Sequence, residues 1–216
     1  TGCKGCTTYR PNDVTGSVLS VKTQESEEDT SGACELRFDE NTGHLTPNSP
    51  LKLEQGEFLG PRHFTFHPRL DVVYFTDEQG CSVTAYNLDT STGTLSPFQT
   101  TTTLPDGFDG RNTCSQIQIT PSGRFLYAPN RGHNSIAGFS VDASSGRLTA
   151  AGRVATESVP SAFSLDTEGR FLFAAGSETG RLASYRINSD TGGLTAMETY
   201  DVGKRPMDVL ITNQGG

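Results

Sequence analysis

The sequence predicts an all-β protein made of repeated four-stranded units, and two observations lead to this prediction. A turn motif recurs about every 50 residues along the chain, which is the period of propeller blades. The chain also holds 24 glycines and 11 prolines among its 216 residues. It therefore turns often, as many short strands joined by tight turns require. The expected fold class is a β-propeller.

The turn motif has the same form at four places. An apolar residue precedes Asp or Asn, glycine follows four positions after that polar residue, and leucine lies two positions beyond the glycine. The copies are FDENTGHLT from Phe38, LDTSTGTLS from Leu88, VDASSGRLT from Val141 and INSDTGGLT from Ile187. The polar side chain caps a turn, and the glycine adopts the positive φ that reverses the chain. Each copy therefore predicts the hairpin between the third and outer strands of a blade.

A second motif, a turn followed by an apolar strand, recurs out of phase with the first. Its copies are HPRLDVVYFTDE from His67, TPSGRFLYAPNR from Thr120 and DTEGRFLFAAGS from Asp166. This alignment makes Tyr74, Tyr127 and Phe173 equivalent. Together, the two motifs predict blades with the order inner strand, turn, second strand, loop, third strand, hairpin, outer strand.

These motifs divide the chain into a tail and a series of blades. The sequence predicts that residues 1–16 form a flexible tail and that residues 17–55 form three strands of a partial blade. The remaining units are complete blades at about 61–103, 114–157 and 160–202, followed by a closing strand at 206–212. About four blades are thus visible, either as a closed ring of four or as part of a larger ring. We favour the larger ring, with N-terminal blades missing from this chain or replaced by self-association, because open sheet edges invite aggregation.

The charge and hydropathy of the chain exclude two classes of partner. The formal net charge is -8, from 25 acidic and 17 basic residues. An acidic surface repels phosphate backbones, so we expect no nucleic acid partner. No window approaches 18 consecutive apolar residues, so the sequence predicts no membrane span.

The five cysteines fit reduced thiols better than a disulfide framework, because their number is odd. Cys3 and Cys6 form CKGC, a spacing that suits a redox pair or half of a zinc site. No second CxxC or nearby histidine completes a tetrahedral set, so we expect neither a metal nor a cofactor. A disulfide that involves Cys3, Cys6 or Cys34 stays an alternative for a secreted protein.

Four segments in the last three quarters of the chain carry a family resemblance. They are GPRHFTFHP from Gly60, DEQGCSVTAYNLD from Asp77, GFDGRNTCSQIQITPSGRFLYAPNRGHNSIAGF from Gly107 and RPMDVLI from Arg205. This part of the chain resembles the lactonase family of seven-bladed propellers, which includes 6-phosphogluconolactonases and carboxy-muconate cyclases. The resemblance implies that roughly three blades are absent here. It also implies a cytoplasmic protein, with secretion as the alternative, and a small anionic lactone as the partner.

The resemblance also implies which residues act on that lactone. Arg62, Glu78 and Arg131 fall on family positions that line the central cleft. Arg62 and Arg131 would bind anionic groups, since guanidinium holds carboxylate or phosphate with two hydrogen bonds. Arg131 is also a candidate to stabilise the oxyanion. Glu78 would act as the general base.

Three neighbours of these residues are further candidates. His63 would orient or shuttle a proton. Asp77 would contact substrate and support Glu78 as a second carboxylate that shifts the pKa of one of the pair. His133 would bind substrate with Arg131 at the same opening, because Gly132 lets the backbone turn tightly. Each has a structural alternative: contact with the neighbouring blade for His63, a solvated turn for Asp77, and a packing role for His133.

Two departures from the family pattern count against activity. Gln116 occupies a position where family members carry an acidic residue, and no histidine lies near residue 14, where they carry a functional one. No GxSxG motif supports a serine hydrolase. The sequence predicts a hydrolase that opens a sugar lactone such as 6-phosphogluconolactone. A catalytically inactive propeller that serves as a binding or structural module, and a muconate-type lactone cyclase, are the alternatives.

Overall fold

The structure is a computed structural model that describes residues 17–22, 33–39, 41–53 and 59–212, the first of these as backbone only. The predicted tail at 1–16, with Cys3 and Cys6, lies outside the described residues, as does the position near residue 14. The secondary structure of the described residues consists of strands joined by turns and irregular segments. Within these ranges, no helix could span a lipid bilayer.

The strands form four antiparallel sheets that follow one another along the chain. The first sheet contains β1 (Ser17–Lys22), β2 (Ala33–Phe38) and β3 (Leu45–Leu53), and the second contains β4 (Pro61–Phe66), β5 (Val72–Asp77), β6 (Ser82–Asp89) and β7 (Thr94–Thr102). The third contains β8 (Thr113–Cys114), β9 (Gln118–Ile119), β10 (Phe125–Arg131), β11 (Ser135–Val141) and β12 (Leu148–Ala155), and the fourth contains β13 (Pro160–Leu165), β14 (Phe171–Gly176), β15 (Arg181–Ile187) and β16 (Leu194–Asp201). In the third sheet, the inner strand is split into β8 and β9, which both pair with β10. The all-β prediction is confirmed.

The sheets stack face to face with their inner strands together and their outer strands together. Inner strand β4 contacts inner strand β9, and inner strand β13 contacts β10, the second strand of the preceding sheet. Among the outer strands, β3 meets β7 and β12 meets β16. All of β5 is buried, whereas β16 is exposed at seven of its eight positions. This gradient is what radially packed blades produce, because only the outer strand of each blade faces solvent.

The hydrophobic core is divided into layers, one at each boundary between sheets. The alternation of side chains along β5 shows how this arises. Val72 and Tyr74 pack toward the third sheet, against residues that include Leu126. Val73 and Phe75 belong to the layer shared with the first sheet. The two faces of this buried strand thus contribute side chains to two different core layers. This explains why apolar residues follow one another without interruption in the first part of β5.

All four hairpins have the cap that the motif predicted. The side-chain oxygen of the polar residue accepts hydrogen bonds from the backbone N–H groups two and three residues later. Each hairpin glycine has a φ between 70 and 72°, where a residue without a side chain is favoured. The capping residues are Asp39, Asp89, Asp142 and Asn188.

Two of these glycines also receive a hydrogen bond from the preceding blade. Tyr74 Oη donates to the Gly146 carbonyl at 2.7 Å, and Tyr127 Oη donates to the Gly192 carbonyl at 2.8 Å. The equivalent residue of the fourth sheet, Phe173, has no hydroxyl. These bonds connect the middle of one blade to the outer hairpin of the next.

The segment 206–212, for which the sequence predicts a closing strand, has no strand partner among the described residues. Its backbone is irregular. Met207 and Leu210 are 64% and 84% exposed. A strand is stabilised by hydrogen bonds to a neighbouring strand, so the apolar sequence of this segment alone does not make it one.

Candidate functional site

Glu78 lies where two neighbouring blades meet. It is the first residue after β5, and its backbone N–H donates to the Gly60 carbonyl at 2.7 Å. Its own carbonyl accepts a hydrogen bond from Cys114 N–H at 3.0 Å. The second and third blades thus both fix the backbone from which the carboxylate extends.

Arg131 reaches Glu78 across this blade boundary. It is the last residue of β10, and its Nη2 donates both to Glu78 Oε1 and to the Cys114 carbonyl, the latter at 2.9 Å. The Arg131 side chain is 18% exposed. The predicted proximity of Glu78 and Arg131 is therefore present in the structure.

Arg62 approaches the same carboxylate oxygen from β4. Its Nε lies 3.4 Å from Glu78 Oε1, and the Arg62 and Glu78 side chains are 25% and 20% exposed. One carboxylate oxygen thus lies between two guanidinium groups at the edge of solvent. The cluster Arg62–Glu78–Arg131 has a net charge of +1, which suits it to attract an anion.

His63 lies beside this cluster. Its Nδ1 lies 3.0 Å from the Ser115 carbonyl and 3.4 Å from Arg62 Nη1. The shorter contact is a hydrogen bond only when Nδ1 carries the proton, since a carbonyl can only accept. Burial lowers the pKa of His63, and the neighbouring Arg62 guanidinium lowers it further. At neutral pH the ring is therefore uncharged, and with the proton on Nδ1 its Nε2 has a lone pair that can accept a proton.

Asp77 does not lie in the cleft. Its side chain is fully buried, and its Oδ2 accepts hydrogen bonds from Ser82 and Thr84, both at 2.7 Å. Burial raises the pKa of Asp77 to about 6, against the lowering effect of these two bonds. The Asp77 side chain faces the interior, because successive residues of a strand face opposite sides, and its part in substrate binding stays a prediction.

His133 contributes to the packing of the neighbouring loop. Its ring makes an edge-to-face contact with Phe108, with centroids 4.9 Å apart, and its Nδ1 lies 2.8 Å from Ser135 Oγ. Its backbone N–H donates to Asn112. Because its neighbours come from the loop before β8 and from β11, the structure does not bring it into the Arg62–Glu78–Arg131 cluster. Its role in substrate binding stays a prediction.

Gln116 is engaged with the next blade. Its Oε1 accepts a hydrogen bond from Phe163 N–H on β13 at 2.7 Å. Gln116 is the equivalent of His63 in the blade repeat, and the two side chains make comparable contacts with the following inner strand. Aligning the second and third blades in sequence would have shown that Gln116 and His63 are equivalent. It would also have predicted that His63 is oriented by the following inner strand, where the Ser115 carbonyl lies.

Neither the cluster nor its surroundings form an evident metal centre. No group of three or more His, Cys, Asp or Glu side chains suited to a metal occurs in the part of the chain that the structure describes. Cys81 and Cys114 of that part are free cysteines. The cluster and His63 offer guanidinium, carboxylate and imidazole groups.

The family model of the lactonases, which are seven-bladed β-propellers, matches residues 34–211. The chain belongs to the lactonase propeller family. The four sheets are thus blades of that fold, and the propeller prediction is confirmed. The match includes every residue of the Arg62–Glu78–Arg131 cluster.

Two curated members of the lactonase family match part of the chain. A 6-phosphogluconolactonase of Pectobacterium carotovorum subsp. carotovorum is 35% identical over 125 residues, which are 58% of this chain and 38% of that protein. A 6-phosphogluconolactonase of Pectobacterium atrosepticum is 33% identical over 126 residues, with the same coverage. The match thus spans well under half the length of these relatives.

Solved structures are similar over most of this lactonase-family chain. A Lactobacillus plantarum protein has a TM-score of 0.80 at 24% identity and covers 93% of this chain and 57% of its own. The periplasmic gluconolactonase of Pseudomonas aeruginosa has a TM-score of 0.77 at 25% identity, with coverage of 88% and 55%. These likenesses support the propeller architecture.

Proposed function

We propose that the Arg62–Glu78–Arg131 cluster binds an anionic sugar lactone and promotes hydrolysis of its ring. The observation that carries this proposal is the shared contact of both guanidinium groups with Glu78 Oε1. It gives a partly exposed site with a surplus of one positive charge. The matched relatives named 6-phosphogluconolactonase make 6-phosphogluconolactone the substrate to test first.

Anion binding and activation of the base are linked in this arrangement. A phosphate or carboxylate group binds guanidinium through paired, charge-assisted hydrogen bonds. A bound anion therefore competes with Glu78 for Arg62 and Arg131. Weaker ion pairs make the Glu78 carboxylate a better proton acceptor, so the base is activated when substrate is present.

The reaction then needs one proton to be moved from water to the ring oxygen. Glu78 takes a proton from the attacking water as the new C–O bond forms at the lactone carbonyl. Arg131 stabilises the negative charge on the carbonyl oxygen. The ring C–O bond then breaks, and the proton passes to the departing oxygen, which leaves a hydroxy acid. His63 Nε2 would carry that proton, and the contact of Nδ1 with the Ser115 carbonyl supports this role.

The test is hydrolysis of 6-phosphogluconolactone by the purified chain, followed by proton release and corrected for spontaneous opening. Arg62→Ala and Glu78→Gln should each lower kcat/KM at least about a hundredfold and leave the melting temperature nearly unchanged. Arg181→Ala is the matched control, since Arg181 pairs with Glu157 at 2.9 Å in the fourth sheet. Wild-type turnover by both site variants would reject the proposal.

Two other outcomes identify the alternative functions. If the wild-type chain binds 6-phosphogluconate through Arg62 but turns over no lactone, the chain is a binding module. If it instead closes a muconate-type diacid to its lactone, the same guanidinium groups serve a cyclase. Both substrates should therefore be assayed on one preparation.

A further inference from the structure

In both blades that meet at the site, the second strand carries a buried polar residue at its end or one residue before it. Asp77 ends β5 and accepts a hydrogen bond from Ser82 Oγ, the first residue of β6, at 2.7 Å. Asn130 occupies the same position near the end of β10 and donates to Ser135 Oγ, the first residue of β11, at 3.3 Å. Each pair spans a hairpin loop, and the four residues of the two pairs are at most 4% exposed.

In both blades, the residue that follows the buried polar residue belongs to the cluster. Glu78 directly follows Asp77, and Arg131 directly follows Asn130. Because strand residues alternate between faces, the buried polar side chain and the cluster residue after it face opposite sides. The buried pair therefore sets the point at which Glu78 or Arg131 leaves the sheet.

Asn130 is fixed more extensively than hairpin closure requires. Its Oδ1 accepts from Thr103 Oγ1 at 2.7 Å and from Asn112 Nδ2 at 3.0 Å, and its Nδ2 donates to the Thr103 carbonyl at 3.0 Å. Thr103 follows the outer strand of the second blade, so the network connects the two blades whose residues form the ion pair. A satisfied network of this kind restricts the positions open to its members.

The fourth sheet folds without such a pair. Gly176 and Arg181 stand at the equivalent positions and pair in register, and a Cβ at Gly176 would lie 2.5 Å from Glu157 Cβ. Arg181 instead forms an ion pair with Glu157. The residue after Gly176 is the uncharged Ser177. A buried polar pair is therefore not needed to form this hairpin.

We infer that Asp77–Ser82 and Asn130–Ser135 are positioning pairs that hold Glu78 and Arg131 in contact across the blade boundary. All four residues are buried, so they act through the residues that follow Asp77 and Asn130. Their effect on turnover rests on the proposed function, whereas their effect on the two loops does not. The inference thus has one consequence that depends on catalysis and one that does not.

The first readout is hydrogen–deuterium exchange in loops 78–81 and 131–134. Ser82→Ala should speed exchange in loop 78–81, and Ser135→Ala in loop 131–134, each about tenfold. Tyr127→Phe is the matched control, since it removes a buried hydroxyl that bonds to the next blade but lies far along β10 from the loop. It should leave both loops unchanged.

The second readout is steady-state kinetics with the lactone. Ser82→Ala and Ser135→Ala should lower kcat/KM about tenfold, because small displacements of reacting groups are costly. Asp77→Asn should retain most activity, since an amide oxygen still accepts from Ser82 and the third blade already uses Asn, whereas Asp77→Ala should not. If one serine variant fails to fold, the other still tests the pair in its own blade.

Unchanged exchange in both serine variants would overturn the inference, as would equal loosening of the loops by Tyr127→Phe. If the wild-type chain hydrolyses no lactone, the proposed function fails while the exchange results still decide the role of the pairs. Faster exchange with unaltered kcat/KM would also count against positioning of the ion pair.

Discussion

Glu78 of the second blade and Arg131 of the third form an ion pair across a blade boundary, although 53 residues separate them. Arg62 Nε lies 3.4 Å from the same carboxylate oxygen. The three side chains meet because the packing of the blades brings the start of β4 and the ends of β5 and β10 close together. A partly exposed ion pair contributes little to stability on its own, so its arrangement bears mainly on binding and chemistry.

The first prediction concerns anion affinity after loss of the carboxylate. Glu78→Gln removes the internal anion that competes for Arg62 and Arg131, so inorganic phosphate should bind about threefold or more tightly at low salt. Titration calorimetry measures this directly. Glu157→Gln is the control, because Glu157 pairs with a single arginine, Arg181, and its loss should not change phosphate binding. Weaker binding by Glu78→Gln would show that the carboxylate helps to hold the anion.

The second prediction concerns the pH dependence of stability through Asp77. Burial raises the pKa of Asp77 to about 6 from 3.8, so the folded chain holds this proton to a higher pH than the unfolded chain does. Ionisation therefore lowers the free energy of unfolding as pH rises from about 4 to 6, by about 3 kcal/mol in total. The amide of Asp77→Asn does not ionise, so the free energy of unfolding of this variant should not fall between pH 4 and 6. Measured by urea denaturation, the stability of the variant relative to the wild type should therefore rise toward pH 7.

Asp89→Asn gives the matching control with the opposite sign. Hydrogen bonds, first from the Ser91 hydroxyl, lower the pKa of Asp89 to about 2. This carboxylate contributes stability that is present above its unfolded pKa and is lost as pH falls toward 2. Parallel stability profiles for Asp77→Asn and the wild type between pH 4 and 7 would contradict the assignment for Asp77.

The blade pattern could be predicted because its signals are local. Asp89 caps its own turn and Gly93 supplies the positive φ, and neither requires knowledge of distant residues. The closing strand at 206–212 could not be assigned in this way. Leu210 belongs to an apolar pattern, but a strand also needs a partner, and the pattern does not reveal whether one lies beside it.

The site could be predicted only in part. The family resemblance pointed to Arg62, Glu78 and Arg131, which the structure brings together, but no local pattern encodes a contact across a blade boundary. The burial of Asp77 was not predicted, because a strand end followed by a loop hides where the alternation of side chains stops. His133 follows Arg131 closely in sequence, yet its ring packs on Phe108, a loop residue that periodicity does not place.

The third prediction concerns the bonds that join neighbouring blades. Tyr127→Phe removes the donor to the Gly192 carbonyl and leaves a buried acceptor without its partner. It should lower the free energy of unfolding by about 1–2 kcal/mol. Phe173→Tyr is the reverse change at the equivalent position, where the described residues offer no following hairpin carbonyl, and it should change stability little. Thermal and urea denaturation of both variants measure the difference. Equal stability of Tyr127→Phe and the wild type would show that this bond does not help to hold the blades together.

The last prediction separates backbone strain from contact in the Arg131 loop. Gly132 and Gly152 have φ values of 140 and 134°, so alanine is strained to a similar degree at both, by about 1 kcal/mol. A Cβ at Gly132 would lie 2.1 Å from the Arg111 carbonyl oxygen, whereas nothing lies within 4 Å at Gly152. Gly132→Ala must therefore displace backbone beside Arg131.

Gly132→Ala should accordingly lose at least about tenfold in phosphate affinity, with a fall in melting temperature larger than that of Gly152→Ala. Gly152→Ala should bind phosphate as the wild type does. If both variants bind phosphate normally, then the Arg131 side chain reaches the anion without a fixed loop. In that case the close approach of Gly132 to Arg111 serves only the packing of the two blades.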